Sequence, residues 1–131
     1  TLLDLVGPSG KIDLVEGSKI ATADAQINFG GAKNVTIHTG DVEKILPRFS
    51  SADVVILDPP REGVKKSVIE SLVACTPRRI VYVACDPAAL ARDSALLRDA
   101  NYTLIKVRAF DLFPMTHHIE CVALFTPTAV S

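Results

Sequence analysis

The sequence lacks several features that would place a protein in a simple class. It has no tryptophan, a single methionine and only three cysteines, Cys75, Cys85 and Cys121, with no Cys-x-x-Cys pair. An odd number of widely spaced cysteines does not fit a disulfide framework, so we expect a reducing, cytoplasmic compartment. No apolar run approaches the roughly 20 residues of a membrane-spanning helix. The first residues also lack the basic-then-apolar order of a signal peptide, and we expect no contact with a membrane.

An excess of charge of either sign is lacking as well. The 14 basic and 15 acidic side chains leave a formal net charge of −1. A general positive field that attracts nucleic acid is therefore excluded, and any such binding must be local or depend on another domain. The chain has 131 residues, 48% of them hydrophobic, which is enough for one domain around one core.

Short β-rich segments alternate with helical patterns, which predicts an α/β fold with a parallel sheet covered by helices. The predicted strands cover residues 11–15, 34–38, 53–57, 79–84, 105–109 and 121–125. We expect 53–57 to be buried. Segment 105–109 alternates apolar and charged residues and predicts a half-exposed edge strand, whereas 121–125 is continuously apolar and predicts an interior strand. The last strand should therefore lie inside the strand that precedes it in the chain.

The helices are predicted from caps and from the spacing of apolar residues. Ser18 can cap a helix with Ile20, Ala23 and Ile27 on its inner side. Asp86 and Pro87 can open another helix, whose inner face carries Leu90, Ser94 and Leu97.

A glycine-rich nucleotide-binding turn is missing. A Rossmann-type domain begins with a strand, such a turn and a helix, but here Gly7-Pro8-Ser9-Gly10 is followed at once by the strand that ends at Glu16. We therefore expect the first strand to lie outside this sequence, and residues 1–6 to be the end of a helix or a short hairpin strand. We expect the two sheet edges beside that strand to be covered by residues 1–6, by direct pairing or by a second copy of the chain.

Three short segments combine residue types that can do chemistry. They are Asp-Pro-Pro-Arg-Glu-Gly at 58–63, Ala-Cys-Asp-Pro at 84–87 and Thr-His-His-Ile-Glu at 116–120. Each lies at the C-terminal end of a predicted strand or at the entry to an antiparallel one. They can thus converge on one rim of the sheet, where ligands bind in open α/β folds.

Cys85 and Glu120 are the candidate reactive residues. The positive end of the helix after Cys85 would stabilise a thiolate, although a small buried hydrophobe is the alternative role for a free cysteine. Glu120 precedes an apolar strand, where it can act as a general base at the mouth of a site or be a solvated strand-end carboxylate. His117 and His118 can orient a substrate or the carboxylate, or lie in a surface turn.

Three further acids follow predicted strands. The two prolines after Asp58 fix its loop. Such a rigid Asp-Pro-Pro segment resembles the substrate-facing loop of nucleic-acid methyltransferases, and a plain tight turn is the weaker explanation. Glu16 can bind ribose hydroxyls of a cofactor or be a simple strand-end acid. Asp41 can contact an adenine group or cap the following helix, and the residues leave both roles open.

Together, the Asp-Pro-Pro-Arg segment, the Cys-x-Pro after a Val-Tyr-Val strand and the late His-x-Glu resemble the RNA (uracil-5-)-methyltransferase family, which modifies tRNA and ribosomal RNA. The similarity runs from about Gly7 to Phe125. It implies a Rossmann-like class I methyltransferase sheet that lacks the first strand and Gly-rich loop, so that residues 1–131 are a partial catalytic domain. It also implies S-adenosyl-L-methionine as cofactor, RNA as substrate and no metal.

The resemblance assigns roles to the residues of the three segments. Cys85 matches the nucleophile that attacks carbon 6 of uracil, and Glu120 matches the base that removes the carbon-5 proton. Asp58 matches the active-site aspartate and is also expected near the cofactor. Arg61 and His118 are expected to bind the RNA.

The resemblance also assigns Glu16 and Asp41 to the cofactor. The chain departs from the family in having Cys-Asp-Pro where many members carry Cys-Asn-Pro, and in lacking the upstream domains that usually bind RNA. Two alternatives remain. One is an exocyclic-amine methyltransferase, although such enzymes typically carry an aromatic residue where this chain has Arg61. The other is a non-catalytic fragment that keeps only the fold.

Overall fold

The computed structural model describes residues 2–116 and 118–129, which form six β-strands, five α-helices and a 3₁₀ turn. They divide into two compact units, Thr1–Arg48 and Phe49–Ser131, each with its own sheet. Among the described residues, no helix is both long and apolar enough to cross a membrane.

The first unit is a β-α-β arrangement with short flanking helices. Its elements are α1 (Leu2–Val6), β1 (Ile12–Glu16), α2 (Lys19–Phe29), β2 (Val35–Thr39), α3 (Val42–Ile45) and a 3₁₀ turn (Leu46–Arg48). Strands β1 and β2 are parallel, in a register that runs from Ile12 opposite Val35 to Glu16 opposite Thr39. The predicted alternation of strands and helices is confirmed here.

The turn between α1 and β1 is held by Asn34. Its side-chain Nδ2 donates to the carbonyl oxygens of Gly7, at 3.2 Å, and Gly10, at 3.0 Å. Gly7 has φ +69°, and a Cβ on Gly10 would overlap the side chain of Val6. The segment is thus a tight helix-to-strand turn. Because residues 2–6 are helical, the alternative of a hairpin strand at the start of the chain is wrong.

Helix α2 begins as predicted but buries its opposite side. Ser18 caps it by accepting a hydrogen bond from the Ala21 backbone N–H. Its buried residues are Thr22 and Ala25, whereas Ile20 and Ile27, expected on the inner side, are 78% and 82% exposed. The prediction was wrong because the small side chains of Thr22 and Ala25 project from the helix roughly opposite to the two isoleucines.

The second unit is a four-stranded sheet with two helices. Its elements are β3 (Val54–Leu57), α4 (Lys66–Ala74), β4 (Arg79–Ala84), α5 (Pro87–Asp99), β5 (Tyr102–Phe110) and β6 (Glu120–Pro127). The strand order is β3-β4-β6-β5, with β3 parallel to β4 and β6 antiparallel to both of its neighbours. The prediction that the last strand lies inside the preceding edge strand is therefore confirmed.

The core of this unit lies on one face of the sheet. Buried residues alternate along the two central strands: Ile80, Tyr82 and Ala84 on β4, and Cys121, Ala123 and Phe125 on β6. Helix α5 packs on this face and buries Leu90 and Leu97, as predicted, and also Asp93. Each large apolar side chain buried here contributes roughly 1.5–3 kcal/mol to folding.

The opposite face and the edges are more exposed than the sequence predicts. Val54 and Ile56 of β3 are 52% and 45% exposed, so the expected burial of that strand is wrong. Among the described strands of this unit, β3 pairs with β4 alone. On β5, Ile105 and Val107 are also largely exposed, next to a register shift between Leu104 and Lys106.

The edge position of β5 is confirmed, but its half-burial is not.

The two tyrosines predict how stability responds to alkali. Tyr82 donates its hydroxyl to Asp93, at 2.5 Å, and Tyr102 donates to the Pro77 carbonyl, at 2.9 Å. Burial raises the pKa of both hydroxyls above the ordinary value, and the Asp93 carboxylate raises the pKa of Tyr82 further. The unfolded chain therefore loses these protons first. We expect the free energy of unfolding to be insensitive to the tyrosines below a pH of about 10 and to fall above it.

Urea unfolding followed by circular dichroism from pH 8 to 11 checks this expectation, with tyrosinate absorbance at 295 nm as a second signal. Tyr82→Phe should make the fall with pH shallower. Ionisation of both rings while the ellipticity is still native would contradict it.

Candidate active site

The pairing of β4 with β6 brings Cys85 and Glu120 to the same end of the sheet. Ala84, the last residue of β4, lies opposite Cys121 in the antiparallel register. Cys85 is the next residue after Ala84, and Glu120 is the residue before Cys121, so the two are neighbours across the strand pair although they lie far apart in sequence. Both residues are half-buried.

Cys85 stands at the junction between β4 and α5. It is the half-buried cysteine of the three, since Cys75 and Cys121 are 1% and 6% exposed. Asp86 caps α5 as predicted: its carboxylate accepts from the N–H groups of Ala88, at 2.7 Å, and Ala89, at 3.3 Å. Those donors therefore bind Asp86 and not the Cys85 sulfur. The charge of Asp86 also offsets the positive end of the helix.

Glu120 is the first residue of β6 and pairs with Phe110, the last residue of β5. The connection between these strands exposes three large apolar side chains to solvent: Leu112, Phe113 and Met115. Half-buried Glu120 thus lies where the strands of the sheet give way to an exposed apolar connection.

His118 lies in the same connection and is half-buried. Its backbone N–H donates to the Thr116 hydroxyl, at 3.2 Å, and its ring stands edge-on to Phe113 with the ring centres 6.4 Å apart. His117 lies outside the described residues.

The Asp-Pro-Pro-Arg segment forms an exposed loop after β3. Asp58 follows the last residue of the strand and is exposed, as is Arg61. The Gly63 N–H donates to the Pro60 carbonyl, at 2.8 Å, which closes a turn with Arg61 near its tip. Since β3 and β4 are parallel neighbours, the loop and Cys85 both follow the C-terminal ends of their strands, at the same end of this sheet. The expected convergence of the chemical segments on one end of the sheet is thus confirmed within the second unit.

Sequence reasoning missed Asp93, although it is a charged residue on the inner stripe of α5. Its side chain is 0% exposed. One carboxylate oxygen accepts from the Val64 N–H, at 2.6 Å, and from the Tyr82 hydroxyl, at 2.5 Å. The other accepts from Nε and Nη2 of Arg92, at 2.9 and 2.8 Å. A charged residue three positions after Leu90, on the face of the helix that also carries Leu97, is the signal that could have found it.

The remaining predicted residues, Glu16 and Asp41, belong to the first unit. Each follows or ends a parallel strand, at the C-terminal edge of the β1–β2 sheet. A Glu16 carboxylate oxygen accepts from the Ser18 N–H, at 2.6 Å, which fixes the side chain at the start of α2. Asp41 caps α3 by accepting from the Glu43 N–H, at 3.0 Å. The capping alternative for Asp41 is therefore confirmed, and its role toward a cofactor stays a prediction.

The charge of Asp86 yields a direct test on Cys85. Asp86→Asn keeps an oxygen that can cap the helix but removes the negative charge beside the thiol. We expect alkylation of Cys85 by iodoacetamide at pH 7 to become about threefold faster, because the reacting thiolate would no longer lie beside a carboxylate. A charge near a helix terminus contributes up to about 1 kcal/mol, which is enough for such a change. Mass spectrometric peptide mapping separates Cys85 from the two buried cysteines.

Asp99→Asn is the matched control, since it removes the same charge from the far end of α5 and should leave the rate unchanged. An unchanged or slower alkylation in Asp86→Asn would show that the charge of Asp86 does not restrain the thiol.

Known proteins resemble the chain in both sequence and structure. The family model described as tRNA (uracil-5-)-methyltransferase matches residues 40–127. A protein of Streptomyces avermitilis, named only as an uncharacterised RNA methyltransferase, is 48% identical over 130 residues. That alignment covers 98% of this chain and 30% of the relative, so the chain spans under a third of the length of that protein.

Solved structures agree. The tRNA (uracil-54, C5)-methyltransferase of Pyrococcus abyssi, in complex with S-adenosyl-L-homocysteine, superposes with a TM-score of 0.78 at 27% identity, covering 93% of this chain and 30% of that one. The precorrin-6y C5,15-methyltransferase of Geobacter metallireducens superposes with a TM-score of 0.76 at 18% identity, so it shares the fold. That superposition covers 92% of this chain and 69% of the other. The Rossmann-like methyltransferase fold expected from the sequence is therefore confirmed, and the chain belongs to the tRNA (uracil-5-)-methyltransferase family.

Proposed function

We propose that the protein containing this chain methylates carbon 5 of a uridine in tRNA or ribosomal RNA, with Cys85 as nucleophile and Glu120 as base. The observation that carries the proposal is the β4–β6 register, which makes these two residues neighbours at the C-terminal end of β4. Family membership supports RNA methylation as the reaction class.

The chemistry explains why both residues are needed. Carbon 5 of uracil is a poor nucleophile in the free base. The Cys85 thiolate adds to carbon 6, the electrons move to the ring oxygen as an enolate, and carbon 5 becomes electron-rich. Carbon 5 would then take the methyl group from a sulfonium donor, whose S–CH₃ bond breaks and whose sulfur leaves as a neutral thioether. Glu120 accepts the remaining carbon-5 proton, and the electrons of that C–H bond expel the Cys85 sulfur from carbon 6. The ring is restored with a methyl group at carbon 5 and a free thiolate.

Three residues near the pair, the exposed Arg61 and Asp58 and the half-buried His118, suit contact with RNA or the cofactor. Arg61 at the tip of its turn can bind a phosphate, and the imidazole of His118 can orient the RNA. Asp58 stands at the end of β3, where a carboxylate can bind a polar edge of the base or the cofactor. Because the sulfur must approach carbon 6 from the face of the ring, the uridine has to be unstacked or already in a loop.

We propose S-adenosyl-L-methionine as the cofactor, in keeping with the S-adenosyl-L-homocysteine in the Pyrococcus abyssi enzyme. The carboxylates of the first unit fit part of such a ligand: Glu16 is fixed at a strand end and suits ribose hydroxyls, and Asp41 suits the adenine end. When bound, the cofactor supplies an electrophilic methyl group on a sulfonium. This chain's own residues then supply the nucleophile, the base and the binding of RNA.

A covalent adduct is the first test. In RNA that carries 5-fluorouridine, carbon 5 bears fluorine instead of a removable proton, so the reaction should stop with Cys85 bonded to the base. We expect the complete gene product to form this adduct in the presence of S-adenosyl-L-methionine. Cys85→Ala should abolish it and lower methylation at least about a thousandfold, as loss of a nucleophile does in other enzymes. Gel shift and mass spectrometry of the cross-linked peptide provide the measurement.

Cys121→Ala is the matched control, because Cys121 lies next to Glu120 on β6 but is buried. It should retain both the adduct and methyl transfer. Methylation that survives Cys85→Ala, or a product methylated on a base amine, would refute the proposal and favour the exocyclic-amine alternative.

Glu120→Gln separates the base from the nucleophile. The amide cannot accept the carbon-5 proton, so the methylated base should remain attached to Cys85. We expect this variant to accumulate a covalent complex with ordinary uridine RNA, carrying label from methyl-labelled S-adenosyl-L-methionine. Rapid release of methylated RNA from Glu120→Gln would assign the base to another residue.

A further inference from the structure

We propose that Asp93, together with Arg92, is a positioning residue that anchors the 58–63 loop to helix α5 for the reaction. The inference rests on the proposed function, since that loop carries Asp58 and Arg61. It assigns a role to the buried carboxylate of the second unit that the methyl-transfer chemistry leaves unused.

Two hydrogen bonds tie the loop to the helix. Asp93 accepts from the backbone N–H of Val64, at 2.6 Å, directly after the loop. Arg92 donates from Nη2 to the backbone carbonyl of Glu62, at 2.5 Å, inside the loop. Both bonds bind backbone atoms, so they fix the path of the chain whatever the loop side chains do. A buried backbone N–H needs such an acceptor, and Val64 is 8% exposed.

The glycine between these two bonds shows how closely helix and loop approach. Gly63 has φ +76°, a conformation that residues with a side chain rarely adopt. A Cβ added there would lie 2.5 Å from a carboxylate oxygen of Asp93 and would also overlap the Arg92 guanidinium. The backbone at position 63 therefore lies directly against the side chains of Arg92 and Asp93, with no room for a side chain of its own.

The carboxylate is arranged for this task on both oxygens. Tyr82 and Arg92 satisfy the remaining acceptor positions of Asp93, which lies at 0% exposure. A buried charge is tolerated when it is paired and fully hydrogen-bonded, and here the partners come from the sheet, the helix and the loop. Helix α5 also begins directly after Cys85 and Asp86. The helix that follows the nucleophile thus holds the loop that faces the substrate.

The second Arg–Asp pair on the same helix provides a matched control. Arg98 and Asp99 form the same neighbouring ion pair, at 3.0 Å, but both side chains are exposed. Arg92→Ala removes one loop anchor at a half-exposed position and should fold, and Asp93→Asn replaces the buried acceptor. Arg98→Ala and Asp99→Asn are the corresponding controls.

Hydrogen exchange and single-turnover kinetics on the complete gene product test the inference. We expect amide exchange over residues 62–65 to become at least about tenfold faster in Arg92→Ala and Asp93→Asn, with residues 80–84 unchanged in Arg92→Ala. We expect the rate constant for methyl transfer to fall about 100-fold, as for misplaced groups in other sites, while its amplitude stays that of the wild type. The two controls should match the wild type in both measurements.

If Arg92 and Asp93 only stabilised the fold, the variants would reduce the amplitude of methyl transfer, which measures the fraction of folded enzyme. The rate constant would then be unchanged. That result would overturn the inference, as would unchanged loop exchange in both variants or faster exchange with no loss of rate. If the wild type forms no adduct with 5-fluorouridine RNA, the proposed function fails, whereas the exchange measurement still decides whether Arg92 and Asp93 hold the loop.

Discussion

The candidate site depends on one constraint, the insertion of β6 between β4 and β5 in antiparallel register. This pairing places the start of β6 beside the end of β4, and so sets a carboxylate next to a thiol that precedes it by many residues. The strand is held on both sides by backbone hydrogen bonds and buries Cys121, Ala123 and Phe125 on one face. Their burial fixes which face of β6 its remaining residues occupy.

Around this pair, a helix cap, a turn and a buried carboxylate fix the chain at the end of the sheet. Asp86 caps α5 with its carboxylate, and the turn closed by Gly63 holds Arg61 in solvent. Asp93 connects the two, because it sits on the helix and accepts a hydrogen bond from the chain just after the turn. Asp86 and Asp93 thus accept hydrogen bonds from backbone N–H groups at the start of α5 and just after the loop. The edge is thus polar and ordered, beside a connection whose apolar side chains face solvent.

Local features such as helix caps were predictable from the sequence. Which apolar faces are covered by an element distant in the chain was not. The caps Ser18 and Asp86 depend on neighbours within three residues, and the interior position of β6 follows from its continuous apolar run. The exposure of Val54 and Ile20 could not be inferred, because periodicity identifies an apolar face without showing whether another element covers it. Asp93 was missed because Val64, one of its partners, lies far from it in sequence.

The geometry of β6 also determines where the chain can change in length. Deleting one residue between Cys121 and Phe125 would turn every preceding side chain of the strand over, so that the carboxylate at 120 would point toward α5 and away from the thiol. The same deletion between residues 111 and 116 would shorten an exposed connection and leave the pairing intact. Over evolution, insertions should therefore collect in that connection, and the strand that follows it should keep its length.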